Sequence, residues 1–158
     1  GEIAGVLAYS DASRLPSPSS EGQARLISDL LKISGVAPEE VDYVNCHATS
    51  TKLGDVEEID AIRSVFGKHA YNLKLNATKS LVGHLTWAAS GVEMIASLLQ
   101  MKHGVLHPSI NIDEIDPSID LDVCANKSQK HEIRCFLKNS FGFGNINCSV
   151  LVKRYEGL

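Results

Sequence analysis

The stretch KSLVGHLTWAASGVEMIASLLQMKHG, residues 79–104, constrains this chain more than any other. Between Leu85 and Met101 it carries one formal charge, Glu93. Thr86, Ser90, Ser97 and Gln100 interrupt the apolar run, so it reads as a buried core helix and not a membrane span. A carboxylate inside such a helix costs several kcal/mol if unpaired, or takes up a proton. Lys79, fourteen residues upstream, is the natural counter-charge. The run therefore predicts an internal Lys79–Glu93 pair in a domain with enough layers to bury the helix.

The segments around it supply those layers. IAGVLAYSD (3–11) reads as a strand and RLPSPSS as a loop. Ser20 and Gln23 form a capping box that opens a helix, with Leu26, Ile27, Leu30, Leu31 and Ile33 on one face and Gly35 as its stop. VDYVNCH (41–47) is a short strand that empties into the loop ATSTKLG. Asp55 and Glu58 form a second capping box before Val56, Ile59, Ile62 and Val65, with Gly67 as the stop. NLKLNATK is a third strand, and the helix of the opening stretch follows it and ends at Gly104. After the irregular HPSINIDEIDPSIDLD come the strands EIRCFLKNS and INCSVLVKRY, joined by GFGN. The order β-α-β-α-β-α-β-β predicts a layered α/β domain with a mixed, mostly parallel five-stranded sheet.

A length of 158 residues fits one domain, and 44% apolar with 22% charged residues excludes disordered and fibrous classes. The net charge of −4 argues against non-specific nucleic-acid binding, leaving a local basic patch open. No charged-then-apolar leader is visible, and Cys46, Cys124, Cys135 and Cys148 form no C-x-x-C pair. Their spacing predicts reduced, buried thiols and a cytoplasmic or organellar setting.

In parallel α/β sheets, sites form on loops that leave the carboxyl ends of strands. Three such loops collect polar or glycine residues here: NCHATST, KSLVGH and NSFGFGN. His47 enters a loop rich in hydroxyls (Thr49, Ser50, Thr51), and by itself it reads as a hydrogen-bonded structural histidine. His84 precedes a helix, where the helix dipole favours a neutral imidazole able to donate to a developing oxyanion. Other motifs fail. GFGNIN has Asn147 in place of the third dinucleotide glycine, and a strand follows it. ATKS lacks the glycines of a phosphate loop. His103 and His107 have helical metal spacing broken by Gly104 and Pro108, so no metal site is expected.

VNCHATSTKLGDVEEIDAIRSVFG, ATKSLVGHLTWAASGVE, HPSINIDEID and NSFGFGNINCSV resemble, in the same order, the C-terminal half of elongating β-ketoacyl-acyl-carrier-protein synthases. These are condensing enzymes of the thiolase fold. The resemblance covers nearly the whole chain and implies that residues 1–158 are the C-terminal half of a duplicated fold. It implies a decarboxylating Claisen condensation, in which a cysteine of the N-terminal half accepts an acyl chain and the enolate of malonyl-acyl-carrier protein attacks it. His47 and His84 match the two active-site histidines, Lys79 the active-site lysine, and Glu93 its acidic support. Thr49 and Thr51 match hydroxyls that contact phosphopantetheine, and Phe143 matches the gate residue of the glycine-rich loop. The implied partners are the N-terminal half and an acyl carrier protein, within a homo- or heterodimer. No tightly bound cofactor is implied; substrates ride on the carrier's phosphopantetheine.

The sequence departs from the family pattern at Ala48, Trp87, Asn145 and Ile146, which bears on substrate range more than on reaction class. The family's nucleophile position lies outside these motifs, and Cys46 occupies a small-residue position beside His47. The rival reading is a silent partner of the chain-length-factor kind, for which His47, Lys79 and His84 have no chemical use. A coenzyme A-dependent thiolase fits less well, because the two-histidine pattern belongs to the decarboxylating branch.

Overall fold

A computed structural model describes residues 1–10, 18–142, 144 and 146–157. Its elements are β1 (Glu2–Ser10), α1 (Ser20–Ile33), β2 (Tyr43–Asn45), α2 (Gly54–Phe66), β3 (Lys74–Asn76), α3 (Lys79–Val82), α4 (Ala89–His103), β4 (Val105–Leu106), β5 (Gln129–Lys130), β6 (Cys135–Gly142) and β7 (Ile146–Lys153). Five strands form one sheet in the order β1-β7-β6-β2-β3. β2 pairs parallel with both β3 and β6, whereas β7 pairs antiparallel with both β6 and β1. Four strands therefore run one way and β7 opposes them. β4 and β5 form a separate two-stranded ladder that has no counterpart in the sequence reading.

Strand alternation divides the interior in two. Val44, Leu137 and Leu151, in register across β2, β6 and β7, face Ile27, Leu30, Ile59 and Ile62 of α1 and α2. Their neighbours Tyr43, Phe136 and Val152 face the other way, toward Met94, Leu98 and Met101 of α4. With helices on both faces, β2 is buried throughout and β6 from Cys135 to Asn139, as strands covered on both sides require.

Helix ends are set by backbone chemistry. Gly104 takes a left-handed conformation (φ 63°) and its N–H donates to Gln100 O at 2.8 Å, which closes α4. Gly35 and Gly67 likewise follow α1 and α2 with positive φ. The helix starts differ from the sequence expectation. Ser19, not Ser20, caps α1: its Oγ accepts the Gly22 N–H at 3.1 Å, while the Ser20 N–H goes to the Glu57 carboxylate. Gln23 is buried and Ile33 is 64% exposed, so neither plays its expected part. No side chain caps α2 at Leu53; Asp55 instead accepts the Ser50 N–H, and Glu58 turns inward to the loop after β2. Part of the RLPSPSS loop lies outside the described residues.

The largest departure concerns the opening stretch. Its helix starts at Ala89, after the short α3 and a 3-10 turn at Thr86–Ala88. The side of α4 against the sheet carries Glu93, Ser97 and Gln100, whereas Ile95 and Leu99 face outward. In the segment before α4, Leu81, Val82, Leu85 and Trp87 are exposed too, Trp87 completely. The same sheet face continues past α4 to exposed Ile3, Val6 and Ile146, since Ile3 and Val6 pair with Val152 and Val150. No described helix is long and apolar enough to cross a membrane.

Candidate active site

The three loops predicted from the sequence leave the carboxyl ends of β2, β3 and β6. His47 follows β2, and its ring centroid lies 5.8 Å from that of His84, nearly perpendicular to it. Both line a cavity of 580 Å³ together with Thr49, Thr51, Phe141 and Gly142. Phe141 packs 6.0 Å from His47. Phe143 and Asn145 lie outside the described residues. Thr51 Oγ1 accepts the Gly54 N–H at 3.1 Å, so close that a Cβ at Gly54 would collide with it.

The two imidazoles are held differently. His84 lies beyond the C-terminal cap of α3 and not at the mouth of α4, as its sequence position suggested. Its Nδ1 accepts the Thr86 N–H at 3.1 Å, so a neutral His84 carries its proton on Nε2. Burial pushes the His47 pKa down to about 3, helped by the positive charges of Lys79 and Lys138 and by His84. His47 is thus neutral at physiological pH, able to donate one hydrogen bond without bringing a charge. Backbone strain gathers here too: Ala48 and Ser50 after His47, and Thr86 after His84, all have positive φ.

Behind the cavity lies a buried charge cluster. Lys79 Nζ is 2.6 Å from Glu93 Oε1, with side chains 6% and 1% exposed, and the same ammonium donates to His47 O at 2.6 Å. Neither Lys79 nor Glu93 lines the cavity, so the pair reaches the site through the His47 backbone. Glu93 Oε2 is 2.7 Å from Lys138 Nζ, a second buried lysine that the sequence reading missed. Glu58 was missed as well. Its two oxygens accept the N–H groups of His47 and Ala48, each at 2.9 Å, and Asn139 Nδ2 adds a third bond at 3.0 Å. Burial raises the Glu58 pKa while these bonds oppose the rise. Beneath the loops, Tyr43, Asn45, Asn76, Thr78, Gln100 and His107 form a buried polar network joining β2, β3 and α4.

All four cysteines are free thiols, and Cys46 is buried with a pKa raised well above the ordinary range by desolvation and by Glu58. Such a thiol stays protonated and unreactive. No group of three or more His, Cys, Asp or Glu among the described residues is placed to hold a metal ion.

The site thus consists of two histidines on loops that follow β2 and α3, at one end of an α/β sheet covered by helices on both faces. Residues 1–113 match the family described as "Beta-ketoacyl synthase, C-terminal domain", and the chain belongs to that family. It is 41% identical over 157 residues to the chloroplastic 3-oxoacyl-[acyl-carrier-protein] synthase I of Hordeum vulgare, covering 98% of this chain and 34% of that protein. It is 39% identical over 158 residues to 3-oxoacyl-[acyl-carrier-protein] synthase 2 of Synechocystis sp., covering 99% of this chain and 38% of the relative. Among solved structures, a type II polyketide ketosynthase, solved in complex with its acyl-carrier protein and bound to the hexaketide, superposes with a TM-score of 0.93 at 31% identity. That match covers 98% of this chain and 38% of the other. The ishigamide ketosynthase/chain length factor gives 0.91 at 35% identity, over 97% of this chain and 38% of the other. The chain thus spans little more than a third of the length of the curated relatives it matches.

Proposed function

We propose that this chain is the C-terminal half of a β-ketoacyl-carrier-protein synthase and supplies the decarboxylation half of its site. The observation that carries this reading is the pair of histidines 5.8 Å apart on one cavity wall, with His47 held neutral. A malonyl thioester carbonyl placed between them accepts a hydrogen bond from each ring. The bond between the malonyl methylene and its carboxylate then breaks, carbon dioxide leaves, and the electron pair moves to the thioester oxygen as an enolate. Two imidazole donors aimed at that oxygen stabilise the oxyanion more in the transition state than in the ground state. The enolate carbon attacks an acyl thioester carried by a cysteine of the N-terminal half, and the thiolate departs. Thr49 and Thr51 line the same cavity and suit the hydroxyl and amide groups of a phosphopantetheine arm.

The outer apolar face of α4 and the adjoining sheet face support the partner reading. Ile95, Leu99, Leu81, Val82 and Trp87, with Ile3, Val6 and Ile146, are exposed apolar side chains of the kind that a second α/β half would cover. Trp87, fully exposed three residues after His84, is a side chain that such a half would cover.

The test is to assay the complete protein containing this chain for carbon dioxide release from malonyl-acyl-carrier protein and for formation of the 3-oxoacyl product. Both activities are expected. A protein that binds a ketosynthase yet releases no carbon dioxide would instead be a silent, chain-length-factor-like subunit.

A further inference from the structure

Lys138 sits in the middle of β6, in register with Asn45 and Val150, and is 1% exposed. Lysine is seldom buried this deeply, and a buried ion pair seldom improves stability over packed apolar residues. Its Nζ meets Glu93 Oε2 at 2.7 Å, Asn139 O at 2.8 Å, Ser90 Oγ at 3.3 Å and the Ser140 hydroxyl. An ammonium has three protons, so these four acceptors leave none for a substrate. Two of the partners, Ser90 and Glu93, belong to the first turns of α4, and two belong to the end of β6. The Ser90 and Ser140 hydroxyls also bond one another at 2.6 Å.

Two routes lead from this point to His47. One runs through Glu93 and Lys79 to the His47 carbonyl. The other runs through the neighbouring Asn139 side chain and Glu58 to the His47 N–H. The next residues along β6 lead to Phe141, whose ring packs on His47. We propose that Lys138 is a positioning residue that clamps α4 to the end of β6 and thereby fixes His47 and Phe141 relative to one another. Its link to catalysis rests on the condensing reading above; the clamp itself does not.

The charged and titratable groups facing Lys138 are Glu93 from α4, Lys79 from α3, Glu58 from α2, His47 from the loop after β2 and Cys148 from β7. Burial pushes the Lys138 pKa below the ordinary lysine range, Glu93 opposes this, and Lys79 adds to it. The clamp should therefore loosen on the alkaline side before an exposed lysine loses its proton.

The experiment compares the native complete protein with Lys138→Met and Lys138→Arg. In Lys138→Met, backbone amide exchange at residues 139–142 should rise about tenfold while α1 is unchanged. Carbon dioxide release should fall about tenfold in kcat, with KM for malonyl-carrier protein within about twofold. The lysine-dependent alkaline limb of the pH–rate profile should vanish, and Lys138→Arg, which keeps the charge, should recover part of the exchange protection. Native exchange at 139–142 in Lys138→Met, or an equal rise throughout the chain, overturns the clamp. If Lys138→Met does not fold, the native protein carries the test. Exchange at 139–142, corrected for intrinsic base catalysis, should then rise selectively below the pH at which an exposed lysine titrates, and a flat profile overturns the proposal. A native protein that shows these exchange changes but releases no carbon dioxide refutes the condensing reading and leaves the clamp standing.

Discussion

His47 combines a half-buried ring, two lysine charges behind it and a backbone held at both its N–H and its carbonyl. Because its folded pKa lies near 3, below the ordinary 6.5, its neutral form contributes stability above pH 6.5 that is lost as pH falls toward 3. Over that window unfolding takes up about one extra proton, a slope of about 1.4 kcal/mol per pH unit at its steepest. Denaturant midpoints of the complete protein at several pH values should therefore fall more steeply with falling pH for native than for His47→Gln; identical slopes would refute a His47 held neutral. Ala48, with φ at 29°, stands where the family motif has glycine, and Ala48→Gly should gain about 1 kcal/mol in the same melts. A loss instead would mean that the alanine methyl packs usefully. Cys46, protonated and buried, should form no adduct with radiolabelled acyl-carrier protein. Single residues were legible where the pattern left them isolated: Glu93 stood out as the lone charge of an apolar run. Lys138 did not, because a lysine in a strand usually marks the solvent face of an alternating pattern. Glu58 did not, because its spacing from Asp55 imitates a helix cap.

Among the elements, α4 carries the most unusual arrangement, with polar residues toward its own sheet and Ile95 and Leu99 outward. The apolar composition predicted a helix but could not say which side met the sheet, since both faces suit a buried interface. The ion pair decides the orientation, because Glu93 must reach two lysines on neighbouring elements. Glu93→Gln removes the carboxylate that both ammonium groups contact and should cost about 3–5 kcal/mol, read by denaturant unfolding of the complete protein. Adding Lys79→Met should restore only part of this, since Lys138 remains unpaired, and adding Lys138→Met should restore most of the rest. Full stability in Glu93→Gln alone would contradict the cluster. Helix stops at Gly35, Gly67 and Gly104 were legible because left-handed backbone favours glycine. Helix starts were not, because neighbouring serines and acidic residues compete for the same caps.

For the molecule as a whole, local patterns predicted the alternation of strands and helices and the loops that would meet. The pairing of β1 with β7, from opposite ends of the chain, is a long-range choice that no local pattern encodes. On the proposed reading, the exposed apolar residues of α4 and β1 are where a second half of the complete protein would pack. The central claim is that His84 and His47 stabilise the malonyl enolate. It is tested most directly by measuring, in the complete protein, nucleophile acylation and malonyl decarboxylation separately for native and His84→Ala. Acylation should persist within about threefold, while carbon dioxide release should fall about a hundred- to a thousand-fold. Release at the native rate in His84→Ala would contradict the account.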